Sequence, residues 1–247
     1  MKERAPVAFD YKTKLKFGCR RLDPELWERF KEFRSAGNQS DLDADEAALQ
    51  KRFWNLMLSK RVHFSRGLDL FAGVGYSSWI YSKCCDHLTL IENDPQTYSF
   101  LTANMASGRD SGEVSSSIDT VFGDNLDFLK DYSGEKFDLV DIDPFGSPIP
   151  QLNCLDKIFD SGVVAVTSGT IMRIARGLDK TVDSQYSGHG AIRWAIFEYL
   201  PELAKTYDLK LEAFYLYPSS LRAIFTRNFD LPANCFPGEK LLGWFRG

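Results

Sequence analysis

Three residues, Pro218-Ser219-Ser220, separate two apolar runs at 211–217 and 221–227. Neighbouring strands that run parallel need a crossover of a dozen or more residues, so this linker forces an antiparallel hairpin. Upstream the pattern differs. Apolar runs at 68–72, 88–92, 118–122, 137–142 and 162–168 alternate with stretches of helical period, which implies a parallel, doubly wound sheet. The chain is therefore expected to be an α/β protein with a seven-stranded sheet, six strands parallel and one antiparallel. With 247 residues, 44% of them hydrophobic, it is large enough for one such domain. That domain is placed at 67–247. Residues 1–66 are expected to form an extension with helices at 24–34 and 44–60, and 107–117 a mobile loop.

Ligands collect at the C-terminal ends of strands in open α/β sheets, so the residues after each run carry the argument. The first run enters Asp69-Leu70-Phe71-Ala72-Gly73-Val74-Gly75-Tyr76-Ser77-Ser78. Glycines there permit a sharp turn and a close approach of backbone to a ligand. The dinucleotide pattern G-x-G-x-x-G fails because Ser78 holds its third position, and no Gly-Lys-Ser/Thr follows to make a phosphate loop. Asp69 would repel a pyrophosphate but suits a cationic ligand, and S-adenosylmethionine carries an ammonium and a sulfonium. The second run ends in Glu92-Asn93, about twenty residues on, where an acid can grip ribose hydroxyls. The third ends in Gly123-Asp124-Asn125, which could face the edge of an adenine. These features make Asp69, Phe71, Ala72, Gly73, Gly75, Tyr76, Glu92, Asn93, Asp124, Asn125 and Asp141 the candidate cofactor contacts.

The fourth run ends in Asp141-Ile142-Asp143-Pro144-Phe145-Gly146-Ser147-Pro148. A carboxylate at Asp143 can accept from an exocyclic N–H, and the rigid Pro144 backbone can offer its carbonyl to the second amine hydrogen. Phe145 can stack on a planar ring, and Gly146 lets the turn pass close beneath it. Asp143, Pro144 and Phe145 are the candidate catalytic residues. Phe145 and Ser147, with Arg173 and Arg176 on the long basic connection after the fifth strand, are the candidate substrate contacts.

The spacing Asp69…Gly73-x-Gly75, Glu92, Asp124, Asp143-Pro-Phe resembles the class I (Rossmann-like) S-adenosylmethionine-dependent methyltransferases across 67–227. The string Asp-Pro-Phe-Gly-Ser-Pro is similar to the motif of the tRNA guanine-N2 dimethyltransferase family, which methylates guanine 26. Val166-Thr167-Ser168-Gly169-Thr170 falls where that family has a Thr-Cys-Thr-Asp-like segment. Its Asn-Arg-Asp segment has no counterpart in residues 1–66, nor does its C-terminal RNA-binding domain after the last strand. The resemblance implies methyl transfer to a nucleobase amine, guanine N2 in tRNA or other RNA before all. Adenine N6 in DNA or another amine is the alternative, and a non-catalytic subunit of a complex is a third reading.

Charge divides unevenly. The net of −4 resolves into +5 over residues 1–66 and −9 over the rest. Residues 2–21 carry seven bases interleaved with Phe9, Tyr11 and Phe17, a composition that can follow a phosphate backbone and stack on bases. Nucleic acid is the expected partner, with a partner subunit possible. Five cysteines make no Cys-x-x-Cys pair, and three scattered histidines show no ligand spacing, so no metal is expected. Reduced thiols and the lack of a long apolar run suit a cytoplasmic protein without a membrane span.

Overall fold

The computed structural model describes residues 46–114, 117–169, 194–216, 221–233 and 235–236. The basic arm, the expected helix at 24–34, residues 217–220 and the segment 170–193 with Arg173 and Arg176 lie outside the described residues.

A helix, α1 (Glu46–Ser59), leads into strands β1 (Phe64–Asp69), β2 (Cys85–Glu92), β3 (Ser117–Phe122), β4 (Phe137–Ile142), β5 (Phe159–Ser168), β6 (Lys210–Leu216) and β7 (Leu221–Arg227). They form one sheet in the order β3-β2-β1-β4-β5-β7-β6. Strand β7 is antiparallel to both β5 and β6, while β1 to β5 pair in parallel. The seven-stranded arrangement read from the short final linker is the one present.

Between the strands lie α2 (Tyr76–Tyr81), α3 (Pro95–Asp110), α4 (Asn125–Asp131), the short α5 (Ile149–Leu152) and α6 (Leu155–Ile158), then a π-helical segment (Ala195–Tyr199) continuing into α7 (Leu200–Thr206). Local chemistry starts two of them. Asp94 caps α3 by accepting from Thr97 N at 2.7 Å ahead of Pro95, and Asp124 caps α4 by accepting from Leu126 N at 2.8 Å.

The loop expected at 107–117 is shorter than the composition implies, because α3 runs on to Asp110. Gly108 reads as a breaker, yet a Cβ there would meet Val114 Cγ2 at 2.5 Å and Trp79 Cζ3 at 2.7 Å. It is a packing glycine inside a helix.

Alternate residues of the central strands face two apolar clusters. Leu139 and Ala165 join Trp54, Leu58, Phe64 and Tyr81 in one, and Val140 and Val164 join Leu68, Phe159 and Phe225 in the other. Both faces of the sheet are therefore covered, as parallel strands require. Helix α1, expected in the extension, belongs to this core. Trp54 and Leu58 are each 1% exposed, and Trp54 stacks on Phe236 with ring centroids 4.8 Å apart.

Candidate active site

The register sets the C-terminal strand ends side by side. Asp69 on β1 faces Asp141 on β4, and Glu92 on β2 faces Phe122 on β3. Beyond β1 the chain turns through Ala72, whose carbonyl accepts from Gly75 N at 2.9 Å. Gly73 and Gly75 take φ of 56° and 99°, the left-handed region that side chains disfavour. A Cβ on Gly73, Gly123 or Gly146 would meet nothing within 4 Å. The strand ends border open space at all three points.

Glu92 knits this rim together. Its Oε2 accepts from Gly73 N at 2.9 Å, and its Oε1 from Asn93 N at 2.9 Å and Asp94 N at 2.8 Å. Asn93 is exposed beside it. Phe71 is half-buried against the second cluster. Tyr76 is buried under α1, where the Arg52 guanidinium lies 3.9 Å from its ring centre. Phe122 is 55% exposed at the end of β3, stacked obliquely on Tyr98. Sequence reasoning passed over Phe122, although an apolar residue at the exposed end of an edge strand is a usable signal.

Asp69 supports the loop from beneath. It is 1% exposed, and its oxygens accept from Phe71 N at 3.3 Å and Ser78 Oγ at 2.9 Å. Asn125 has a similar internal duty: it donates to Leu70 O at 3.1 Å and accepts from Gln151 Nε2 at 2.9 Å. The buried amide is thus engaged with protein at both ends. Asp124, exposed, is the cap of α4.

Asp141 is built into a buried network. Its carboxylate is 1% exposed and takes a bidentate pair from Arg222 on β7, at 2.7 and 2.9 Å. Tyr81 Oη donates to Oδ2 at 2.6 Å. Arg222, fully buried, donates further to Thr167 Oγ1 and Asn55 Oδ1, each at 2.9 Å, and Asn55 donates to Ser77 Oγ at 3.1 Å. A planar guanidinium with five donors thus joins β4, β5, β7 and α1 in one desolvated network. Asp141 is its counter-ion, with both oxygens accepting from protein donors.

This pairing decides which of two adjacent acids keeps its charge. Burial pushes the Asp141 carboxyl up, but the Arg222 charge and its hydrogen bonds, with Lys51 and Tyr81, hold it below the usual range. Asp69 lacks such a partner. Burial, then the Asp141 charge, push it up to about 7. A carboxyl raised in the folded state contributes stability below its unfolded pKa of 3.8 that is lost as pH rises through about 7. Asp69→Asn keeps an acceptor for Phe71 N and gives Ser78 Oγ a donor. Its melting temperature relative to wild type is expected to climb between acid and neutral pH, and thermal unfolding across that range checks it. A constant difference would show that Asp69 stays ionised.

At the end of β4, the Asp143 carboxylate is ion-paired with the Lys51 ammonium of α1, both side chains 21% exposed. Phe145 is 99% exposed, and Ser147 Oγ accepts from Ile149 N at 3.3 Å. Gly146 O accepts from Gly169 N at 3.1 Å, and a Cβ on Gly169 would lie 2.4 Å from Phe145 O. Only glycine lets the end of β5 brace the Asp-Pro-Phe turn this closely. Among the described residues no group of three or more His, Cys, Asp or Glu is arranged to hold a metal ion, and no helix is long and apolar enough to cross a membrane.

A sheet with one antiparallel strand between β5 and β6, opening on a glycine loop at β1, is the class I methyltransferase fold. The chain belongs to the family described as Conserved hypothetical protein 95, whose model matches residues 47–176. The structure is similar to that of Trm1 from Pyrococcus horikoshii in complex with S-adenosyl-L-methionine, with a TM-score of 0.58 and 17% identity, covering 72% of this chain and 54% of that chain. The chain thus spans about half the length of that relative. A putative methyltransferase, yhhF, from Escherichia coli gives a TM-score of 0.49 at 18% identity, covering 74% of this chain and 86% of that one. Likeness at these identities speaks to the fold alone. No curated protein matches the chain.

Proposed function

We propose that the chain is an S-adenosylmethionine-dependent methyltransferase acting on an exocyclic amine of a nucleobase, guanine N2 in tRNA or other RNA before all. The observation that carries the reading is the Asp143-Pro144-Phe145 turn, with a strand-end carboxylate beside a 99% exposed aromatic ring. The basic, aromatic composition of residues 2–21 supports the RNA substrate.

The residues at the β1–β3 ends fit the cofactor. Open space lies over Gly73 and Gly123, with the Glu92 carboxylate between them. Among the described residues Glu92 Oε2 accepts from one backbone donor, which leaves a lone pair for a ribose hydroxyl. Asn93, Asp124 and the exposed Phe122 complete the rim. When bound, S-adenosylmethionine supplies an electrophilic methyl group.

The chain's own residues act on the acceptor. An aromatic amine is a poor nucleophile because its lone pair is delocalised into the ring. Hydrogen bonds from its two N–H groups to the Asp143 carboxylate and the Pro144 carbonyl favour a pyramidal nitrogen and aim its lone pair. Rate then comes from orientation and electrostatics. Asp143 can take the released proton, and Phe145 stacks on a base drawn from its helix.

Incubation with labelled S-adenosylmethionine and pooled tRNA, rRNA, DNA and protein, followed by nucleoside analysis, tests the reading. Label in N2-methylguanosine is the expected result, and label confined to protein overturns it. Glu92→Ala is expected to weaken S-adenosylmethionine binding by about 1–3 kcal/mol through loss of a charged hydrogen-bond acceptor. Calorimetry checks this, and unchanged affinity would return Glu92 to a purely structural tie.

A further inference from the structure

We propose that Lys51 is a specificity-determining residue of the acceptor site, reading the ring atom that adjoins the amine held by Asp143. The inference rests on the amine-methyltransferase reading and names the chemical edge which that site accepts.

Lys51 comes from outside the strand-end motifs, 92 residues before the carboxylate it meets. Its position is fixed by what α1 does next. Asn55, one turn on, is 1% exposed and bonded to both Ser77 and Arg222. Trp54 and Leu58 anchor the same helix in the core. The ammonium is therefore delivered to the site by a clamped element and not by a wandering surface chain. It pairs with Oδ2 of Asp143, and among the described residues Oδ1 has no hydrogen-bond donor. One side chain thus offers a free acceptor beside an ammonium with further N–H groups to give.

An acceptor next to a donor is the complement of an amino group next to a ring nitrogen. Guanine presents that edge as the N2 amine beside N3, and adenine as the N6 amine beside N1. A neutral heterocyclic amine can occupy Asp143 Oδ1 while its ring nitrogen accepts from Lys51, and the ion pair stays intact. A protonated alkylamine offers no acceptor to Lys51 and sets a second positive charge beside the ammonium already paired with Asp143. The pair therefore selects aminoheterocycles over aliphatic amines such as protein lysines. Arg222 and Asp69 also face this corner, the first bound to Asp141 and the second to its own loop. Lys51 is the cation paired with Asp143 itself and is placed to read substrate.

The test measures binding, without cofactor, of short single-stranded RNAs with one variable base among uridines. The variable bases are guanine and 3-deazaguanine, adenine and 1-deazaadenine, and inosine as the guanine analogue lacking the amine. Wild type is expected to prefer a natural base over its deaza analogue by about tenfold or more, the scale of a hydrogen bond to a charged group. Lys51→Met is expected to erase that preference while Lys51→Arg retains part of it. Asp143→Ala should keep the deaza preference and lose discrimination against inosine. A Lys51→Met protein that weakens every RNA by one common factor, or that keeps the deaza preference, overturns the proposal. If wild type binds guanine and inosine alike and transfers no methyl to RNA, the amine reading itself has failed, a result separate from Lys51.

Discussion

Asp143→Ala is expected to lose at least about a hundredfold in kcat, the scale for removing one oriented polar group at a reacting centre, with S-adenosylmethionine binding near wild type. The separation follows from the geometry. Asp143 follows β4 and meets Lys51, whereas Gly73 follows β1, Glu92 ends β2 and Asn93 comes next. No hydrogen bond joins the two groups among the described residues. Phe145→Leu should behave differently. Its ring touches no core cluster, so its loss leaves the fold alone and removes stacking common to ground and transition state. KM for RNA is expected to rise more than kcat falls. Single-turnover rates with calorimetry separate the cases. Near-normal turnover in Asp143→Ala would sink the amine reading and point to a carbon or oxygen acceptor.

The sheet was legible because its signals are local. Apolar runs of five to seven residues, the three-residue linker before Leu221, and the glycines after β1 each determine something within a few positions. The acids at strand ends were legible as a set but not individually. Asp69, Glu92, Asp124 and Asp141 look alike in sequence, yet one is a raised, buried acid, one a knot of backbone amides, one a helix cap and one a counter-ion. What sorts them is contact over long separations. Arg222 lies 81 residues from Asp141 and 167 from Asn55, and Lys51 lies 92 from Asp143. A single chain carries no local mark of such pairs. A weak sign existed on α1, where Lys51, Asn55 and Leu58 fall at helical spacing on one face. A polar residue between Trp54 and Leu56 on a core helix invites a search for a buried partner.

That partner gives the largest expected effect on stability. Arg222→Met removes the charge paired with Asp141 and is expected to destabilise the fold by about 3–5 kcal/mol, because breaking a buried pair from one side strands the other charge. Asn55 and Thr167 lose a donor at the same time, which loosens α1 from the sheet. The pH dependence is expected to change sign. In wild type the Asp141 carboxyl is held down, so its contribution is present above its unfolded value and lost as pH falls through the folded one. Without Arg222, the Lys51 charge and the Tyr81 hydrogen bond still oppose burial, but the largest lowering influence is gone and the carboxyl is pushed up, as it is in Asp69. Stability attributable to Asp141 is then lost as pH rises, so the gap to wild type should widen from acid to neutral pH. Urea unfolding of both proteins across that range measures it. The double variant Arg222→Met/Asp141→Leu should recover much of the loss, since an apolar pair of similar volume leaves no stranded charge. A single variant as stable as wild type at neutral pH would show that the Asp141 charge is satisfied by Tyr81 and the surrounding dipoles, and that Arg222 is dispensable to the fold.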